Sequence, residues 1–340
     1  MKAEFRSKVS QILWAALLMT LPFTSFPLVA NLFGGTSVAP LSAVFMALLI
    51  LAAFLPQFLK TRSLPREFAP LLLFFSFAVI SVGLSFFYEV PSFRSIPPWR
   101  NSLEGLITLL LGIGFYLVTI TLVKTEDDLR KSLRWINLGA LIIFASSASQ
   151  AASWFLGGNY PDWMMEIQSM LTSSGILYRQ RVTGVAYEPS WLAHQLNMLY
   201  LPLWLGLSIK GRSVYKTRIL HRFTVENMLL VLGLITLFLS FSRIGWLTTI
   251  FVVAFIIINQ LNKFSNRILA RRASKNAAQI SGSRRFLFKL IFWVVFLLLF
   301  ALGVLLIGFL LSKIDPRMGQ LFDFERFRQF GIIGWASQLM

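Results

Sequence analysis

A chain of 340 residues that is 56% hydrophobic and only 14% charged, with a mean hydropathy of +0.70, lies outside the range of soluble globular domains. Its net charge of +18 sits in short segments between apolar runs, where anionic lipid accounts for it, so nucleic acid is set aside as a partner. With no cysteine and two histidines, the composition excludes disulfides, thiolate chemistry and a histidine-rich metal site.

Apolar runs near the length a helix needs to cross the hydrocarbon core, about 20 residues, predict nine spans. They fall at 11–30, 36–59, 68–88, 103–123, 134–156, 187–208, 225–242, 244–260 and 290–312. The ten-residue alternation of a membrane barrel is absent, so the backbone must be satisfied within helices and the class is all-α. The expectation is a polytopic transmembrane helical bundle over 1–312. The basic stretch before the first apolar run predicts an uncleaved signal anchor, since a small-x-small cleavage site is not evident near Ala30.

Charge predicts the orientation. With a cytoplasmic N-terminus, 23 of the 32 Lys and Arg residues fall on the inner side, eight of them in the basic loop 261–289. The remaining nine, Arg94, Arg100, Arg179, Arg181, Arg243, Lys313, Arg317, Arg326 and Arg328, fall outside. The run from Glu226 to Asn259 is too long for one span, and a hairpin turning at Ser240–Gly245 brings Arg243 to the face that carries Arg179 and Arg181. Residues 313–340 are expected to open an extracytoplasmic loop that is cut short at Met340, leaving the C-terminus outside.

Two outer loops are longer than turns. Loop 89–102 holds three prolines and Trp99, which is expected to rest at the membrane interface. Loop 157–186 contains PDWMMEIQSML, in which Trp163, Met164, Ile167, Met170 and Leu171 share one helical face. With Pro161 in the first turn, this predicts a short helix, either resting on the outer leaflet or packed as a lid on other helices.

The chemistry concentrates in RVTGVAYEPSWLAHQ, Arg181 to Gln195. Proline is favoured at the first helical position, so Glu188 and Pro189 mark the outward start of the sixth span, where free N–H groups and the helix dipole attract anions. Arg179, Arg181 and Arg243 beside it form a seat for phosphate, because a guanidinium matches phosphate oxygens bidentately. The alternative is that Arg179 and Arg181 only snorkel to the interface. Glu188 likewise has two readings, a counter-ion at a helix start or a base that takes the proton of an attacking sugar hydroxyl. His194 reads as a helix-packing hydrogen bonder and His221 as a solvated inner residue.

RVTGVAYEPSWLAHQ, followed about fifty residues later by LSFSRIGWL, resembles the O-antigen ligase and O-antigen/exopolysaccharide polymerase family of bacterial envelope proteins. The resemblance covers 181–250 at motif level. It implies a multi-pass protein of the bacterial inner membrane that performs metal-independent glycosyl transfer without a cofactor. The implied donor is a glycan on undecaprenyl pyrophosphate, the implied surroundings are membrane lipids and other polysaccharide assembly proteins, and the Glu-Pro-Ser step leans toward a polymerase. A ligase acting on lipid A core and a flippase of lipid-linked glycan are the alternatives. Arg181 and Arg243 take the place of the family's pyrophosphate-contacting arginines, and Glu188 that of its acidic position. Ligases of this type carry a catalytic histidine in a large outer loop. Nothing after Lys313 is histidine, so either the chain is a piece lacking that loop and further spans, or Glu188 serves as the base.

Overall fold

Prolines and capping residues decide where the apolar runs become helices. The computed structural model describes residues 2–88, 97–215 and 223–256, with isolated helical positions at 258, 260, 294, 297–298, 302–303 and 309. Among these residues the secondary structure is helical apart from isolated bridge positions, Ser25 paired with Ala39 and a further one at Phe223. The helices are α1 (Lys2–Met19), α2 (Pro27–Leu32), α3 (Ser42–Thr61), α4 (Arg66–Ser85), α5 (Pro98–Leu122), α6 (Glu126–Gly157), α7 (Asp162–Leu171), α8 (189–210), α9 (Val225–Leu239) and α10 (Arg243–Ile256). The chain divides into two compact units, Met1–Gly245 and Trp246–Met340, and the first holds α1 to α9 with the opening residues of α10.

Four helices, α3 to α6, are long and apolar enough to cross a membrane. Only 6% of the most apolar stretch of α4 is buried within the protein, and Leu73, Phe74, Phe77 and Ile80 point outward. Such continuous apolar exposure fits lipid as the solvent rather than water, which makes this a membrane protein. The described parts of α1, α9 and α10 are apolar but shorter.

The first expected span is cut short. Apolarity continues through residues 20–33, but α1 ends at Met19, because Pro22 has no N–H to continue the ladder. Residues 20–41 instead fold back, with Phe26 N–H donating to Ala39 O at 2.7 Å and Leu41 N–H to Phe23 O at 3.1 Å, around the one-and-a-half turns of α2. At the other margin α5 starts at Pro98, five residues before the expected span, so Trp99 is helical rather than part of a loop. The expected span 290–312, the segments 89–96 and 263–289, His221 and residues 313–340 lie outside the described residues, apart from positions 294, 297–298, 302–303 and 309.

Helix α6 opens with a capping box in which Thr125 and Asp128 satisfy each other's backbone N–H, behind three acids that complement the helix dipole. At 32 residues it is about 48 Å long, more than the hydrocarbon core needs, so its ends reach past it. It is the strut of the unit. Trp14 Nε1 donates to Ser132 at 2.9 Å and Trp204 Nε1 to Asn137 at 2.8 Å, fastening α1 and α8 to it. Small residues permit the close approach: a Cβ on Gly139 would lie 3.1 Å from the Met19 carbonyl, and one on Gly233 of α9 would lie 2.7 Å from the Trp204 ring.

Two helices widen into π turns, Ile50–Phe54 in α3 and Leu196–Tyr200 in α8. Each precedes a proline, Pro56 or Pro202, whose ring would clash with the carbonyl four residues back, and the wider turn relieves the clash.

Helix α7 forms over the predicted segment, with Pro161 as its N-cap rather than its first residue. The expected apolar face splits. Met164 and Gln168 are buried against the protein, whereas Trp163, Ile167 and Met170 face outward, Met170 being 68% exposed.

Candidate functional site

Three connections meet at one end of the first unit: residues 20–41, 158–188 and 240–242. Tyr187 N–H donates to Thr24 Oγ1 at 3.0 Å, Ser173 N–H to Ser25 O at 2.8 Å, and Val182 N–H to Leu239 O at 3.1 Å. Residues 182–186, the VTGVA of the motif, are buried beneath them.

One side chain of α6 holds that buried segment. Gln150, 2% exposed, accepts from the N–H groups of Thr183 and Gly184 at 2.8 and 3.0 Å, and its amide donates to Gly184 O at 2.9 Å. Gly184 has φ +59°, and a Cβ there would lie 3.2 Å from Ser147 Oγ, so both the backbone conformation and the approach to α6 require glycine. Gln150→Leu would strand two buried N–H groups at about 1–3 kcal/mol each. We expect that variant to lose thermal stability and to be cleaved first within 172–188 in limited proteolysis. Wild-type proteolysis would show that the clamp is dispensable.

Pro189 is the first residue of α8, as its sequence position predicts, and Glu188 is the extended residue before it. The Glu188 side chain does not cap the helix; it accepts a hydrogen bond from the Ser190 hydroxyl and is half-buried. The Arg181 side chain is also half-buried, with Nε donating to Ser240 O at 3.1 Å and its guanidinium 5.9 Å from the Tyr178 ring centre. Ser240 caps α9, and Arg243 opens α10 three residues later, so this bond ties Arg181 to the turn that presents Arg243.

Tyr178 is the residue that sequence reasoning missed. Burial, then the Glu188 carboxylate, pushes its phenol above the ordinary value, while the Arg181 guanidinium opposes the shift. The phenol therefore lies within the fields of both and stays a neutral hydroxyl donor at physiological pH. Tyr160 positions the segment by donating to Tyr178 O at 2.8 Å.

The remaining candidates separate. Arg179 is exposed and lies over the Trp154 ring of α6 at 5.6 Å, on the opposite side of the Gln180 turn from Arg181 in sequence. His194 is exposed rather than packed between helices. Asn197 takes the packing role expected of that histidine, donating to Gly245 O at 2.8 Å. Gly245 fits closely here, since a Cβ on it would lie 2.6 Å from that of Ala193.

Comparison of the chain with protein-family models, with curated proteins and with solved structures finds no match.

Proposed function

We propose that this protein polymerises glycan repeat units carried on undecaprenyl pyrophosphate, at the outer face of the bacterial inner membrane. In this reading it is a bundle of about nine spans with a cytoplasmic N-terminus, of the O-antigen and exopolysaccharide polymerase type. The observation that carries the reading is the grouping of Arg181, Tyr178 and Glu188 at one end of the bundle, with Arg181 bonded to the turn before Arg243. The outward apolar residues of α7, in the same loop, support a setting at the leaflet where a polyprenyl tail would lie.

In the reaction the acceptor hydroxyl oxygen attacks the anomeric carbon of the donor. The bond from that carbon to the pyrophosphate oxygen breaks, and its electron pair departs with undecaprenyl pyrophosphate. Arg181 and Arg243 stabilise the charge that develops on the leaving group, as preorganised donors do without a metal. Glu188 takes the proton of the acceptor hydroxyl, and the Ser190 hydroxyl orients its carboxylate.

A repeat unit on polyprenyl pyrophosphate, with a photoreactive group beside the phosphates, tests the seat. It should label residues 178–190, and polyprenyl pyrophosphate should compete at least about tenfold better than the monophosphate, the value of roughly one charge-assisted hydrogen bond. Labelling confined to other segments, or equal competition by the two lipids, would contradict the assignment.

A further inference from the structure

At the end of the first unit away from Gln150 lies a cavity of about 1110 Å³ between α1, α3, α5 and the start of α6. Lys131 and Gln150 are 19 residues apart on α6, about 28 Å along its axis. The cavity is therefore no part of the Arg181 site. Four lysines line it, Lys8 of α1, Lys60 of α3, Lys124 of the connection between α5 and α6, and Lys131 of α6, and all four are exposed. The single carboxylate among the lining residues is Asp128, and its oxygen is engaged by the N–H groups of Lys124 and Thr125 and by the Thr125 hydroxyl. Among the described residues the ion pairs join Arg100 to Glu104 and Arg130 to Glu126, so none takes up Lys60, Lys124 or Lys131.

Behind the lysines the lining turns apolar. Ala15 and Ala16 of α1 face Ala52 and Ala53 of α3, and their small side chains leave a groove where bulkier residues would close it. A ring of cations over an apolar groove, in a helical membrane protein, has the two-part chemistry of one ligand. We infer that this cavity binds an anionic phospholipid, its phosphate among the lysines and its acyl chains along the alanine groove. Charge selects the headgroup: Lys60, Lys124 and Lys131 set three positive charges against the one carboxylate of Asp128, and that excess attracts an anionic headgroup over one that carries its own cation. The groove selects a lipid over soluble phosphate, because burial of the chains adds stabilisation that an isolated phosphate lacks.

The test is retention of phosphatidylglycerol or phosphatidylcholine by the purified chain in detergent, read by native mass spectrometry. Phosphatidylglycerol should bind at least about tenfold more tightly, and soluble glycerol phosphate should fail to displace it. Removing lysines in the combined variant Lys60→Gln, Lys124→Gln, Lys131→Gln should weaken binding about fivefold per lysine. Lys210→Gln with Arg212→Gln, which lie outside the cavity lining, should leave binding unchanged. Ala53→Trp should reduce binding with every lysine in place. Equal affinity for the two lipids, displacement by glycerol phosphate, a triple variant that binds as wild type, an Ala53→Trp protein that does so, or an equal loss in the control pair would each overturn the inference.

Discussion

Arg181→Lys is expected to lower glycan polymerisation at least about tenfold, and Arg181→Ala further, with protein abundance in the membrane retained. The guanidinium has two duties. Its Nε holds Ser240 O at 3.1 Å, across 59 residues of chain, and the fork beyond that bond is the part proposed to meet pyrophosphate. Lysine keeps the charge, but a single ammonium cannot reproduce a planar fork with five donors in fixed directions. A hydrogen bond to a charged group contributes about 1.5–3 kcal/mol, and roughly 1.36 kcal/mol is a factor of ten in rate. The measurement is polymer formed per amount of protein from purified lipid-linked repeat units. Wild-type rates for both variants would leave Arg181 as a residue whose side chain serves the structure and not the reaction.

Glu188→Gln is expected to abolish turnover while sparing donor binding. Glutamine preserves the shape of the side chain, and its carbonyl oxygen still accepts from the Ser190 hydroxyl, so the start of α8 keeps its local bonding. What the substitution removes is the ability to accept a proton, worth about 10²–10⁴-fold where a side chain serves as general base. Donor binding and polymer formation must be measured on the same preparation. A modest fall in rate with unchanged binding would make Glu188 a counter-ion of the arginines instead.

Some helix boundaries in the middle of the chain were legible because the residues that set them are local. Pro189 begins α8, and the polar residues Ser240 and Ser242 mark the break between α9 and α10, whereas α6 starts at its Thr125–Asp128 cap, eight residues before the expected span. Hydropathy misleads where apolar residues continue through a break. Residues 20–33 are as apolar as α1, and Pro22, Pro27 and Pro40, with the Gly34-Gly35 pair, carry the signal that they fold back. The apolar runs 36–59 and 187–208 likewise gave no sign of the π turns before Pro56 and Pro202.

Within the site, the proximity of Arg181 to the Ser240 turn was expected from the topology read in the charge pattern, and the bond from Arg181 Nε to Ser240 O brings the two together. Gln150 and Tyr178 did not emerge the same way. Gln150 acts on residues 33 and 34 positions away, a distance no local pattern encodes. Its signal was a polar side chain inside an apolar span, which is costly to bury without partners and so implies them. Tyr178 gave less, and its link to Glu188 depends on the path of the loop between them. Arg179 and Arg181 differ by two residues yet rest on different partners, Trp154 and Ser240, because the positive φ of Gln180 reverses the chain between them.

The proposed activity is tested most directly by giving the purified protein a single lipid-linked repeat unit in lipid vesicles and counting glycosidic bonds. Products of two and more units are expected, with one undecaprenyl pyrophosphate released for each new bond. Translocation of the intact donor across the vesicle membrane, with no new bond and no released pyrophosphate lipid, would contradict the polymerase reading and identify a transporter.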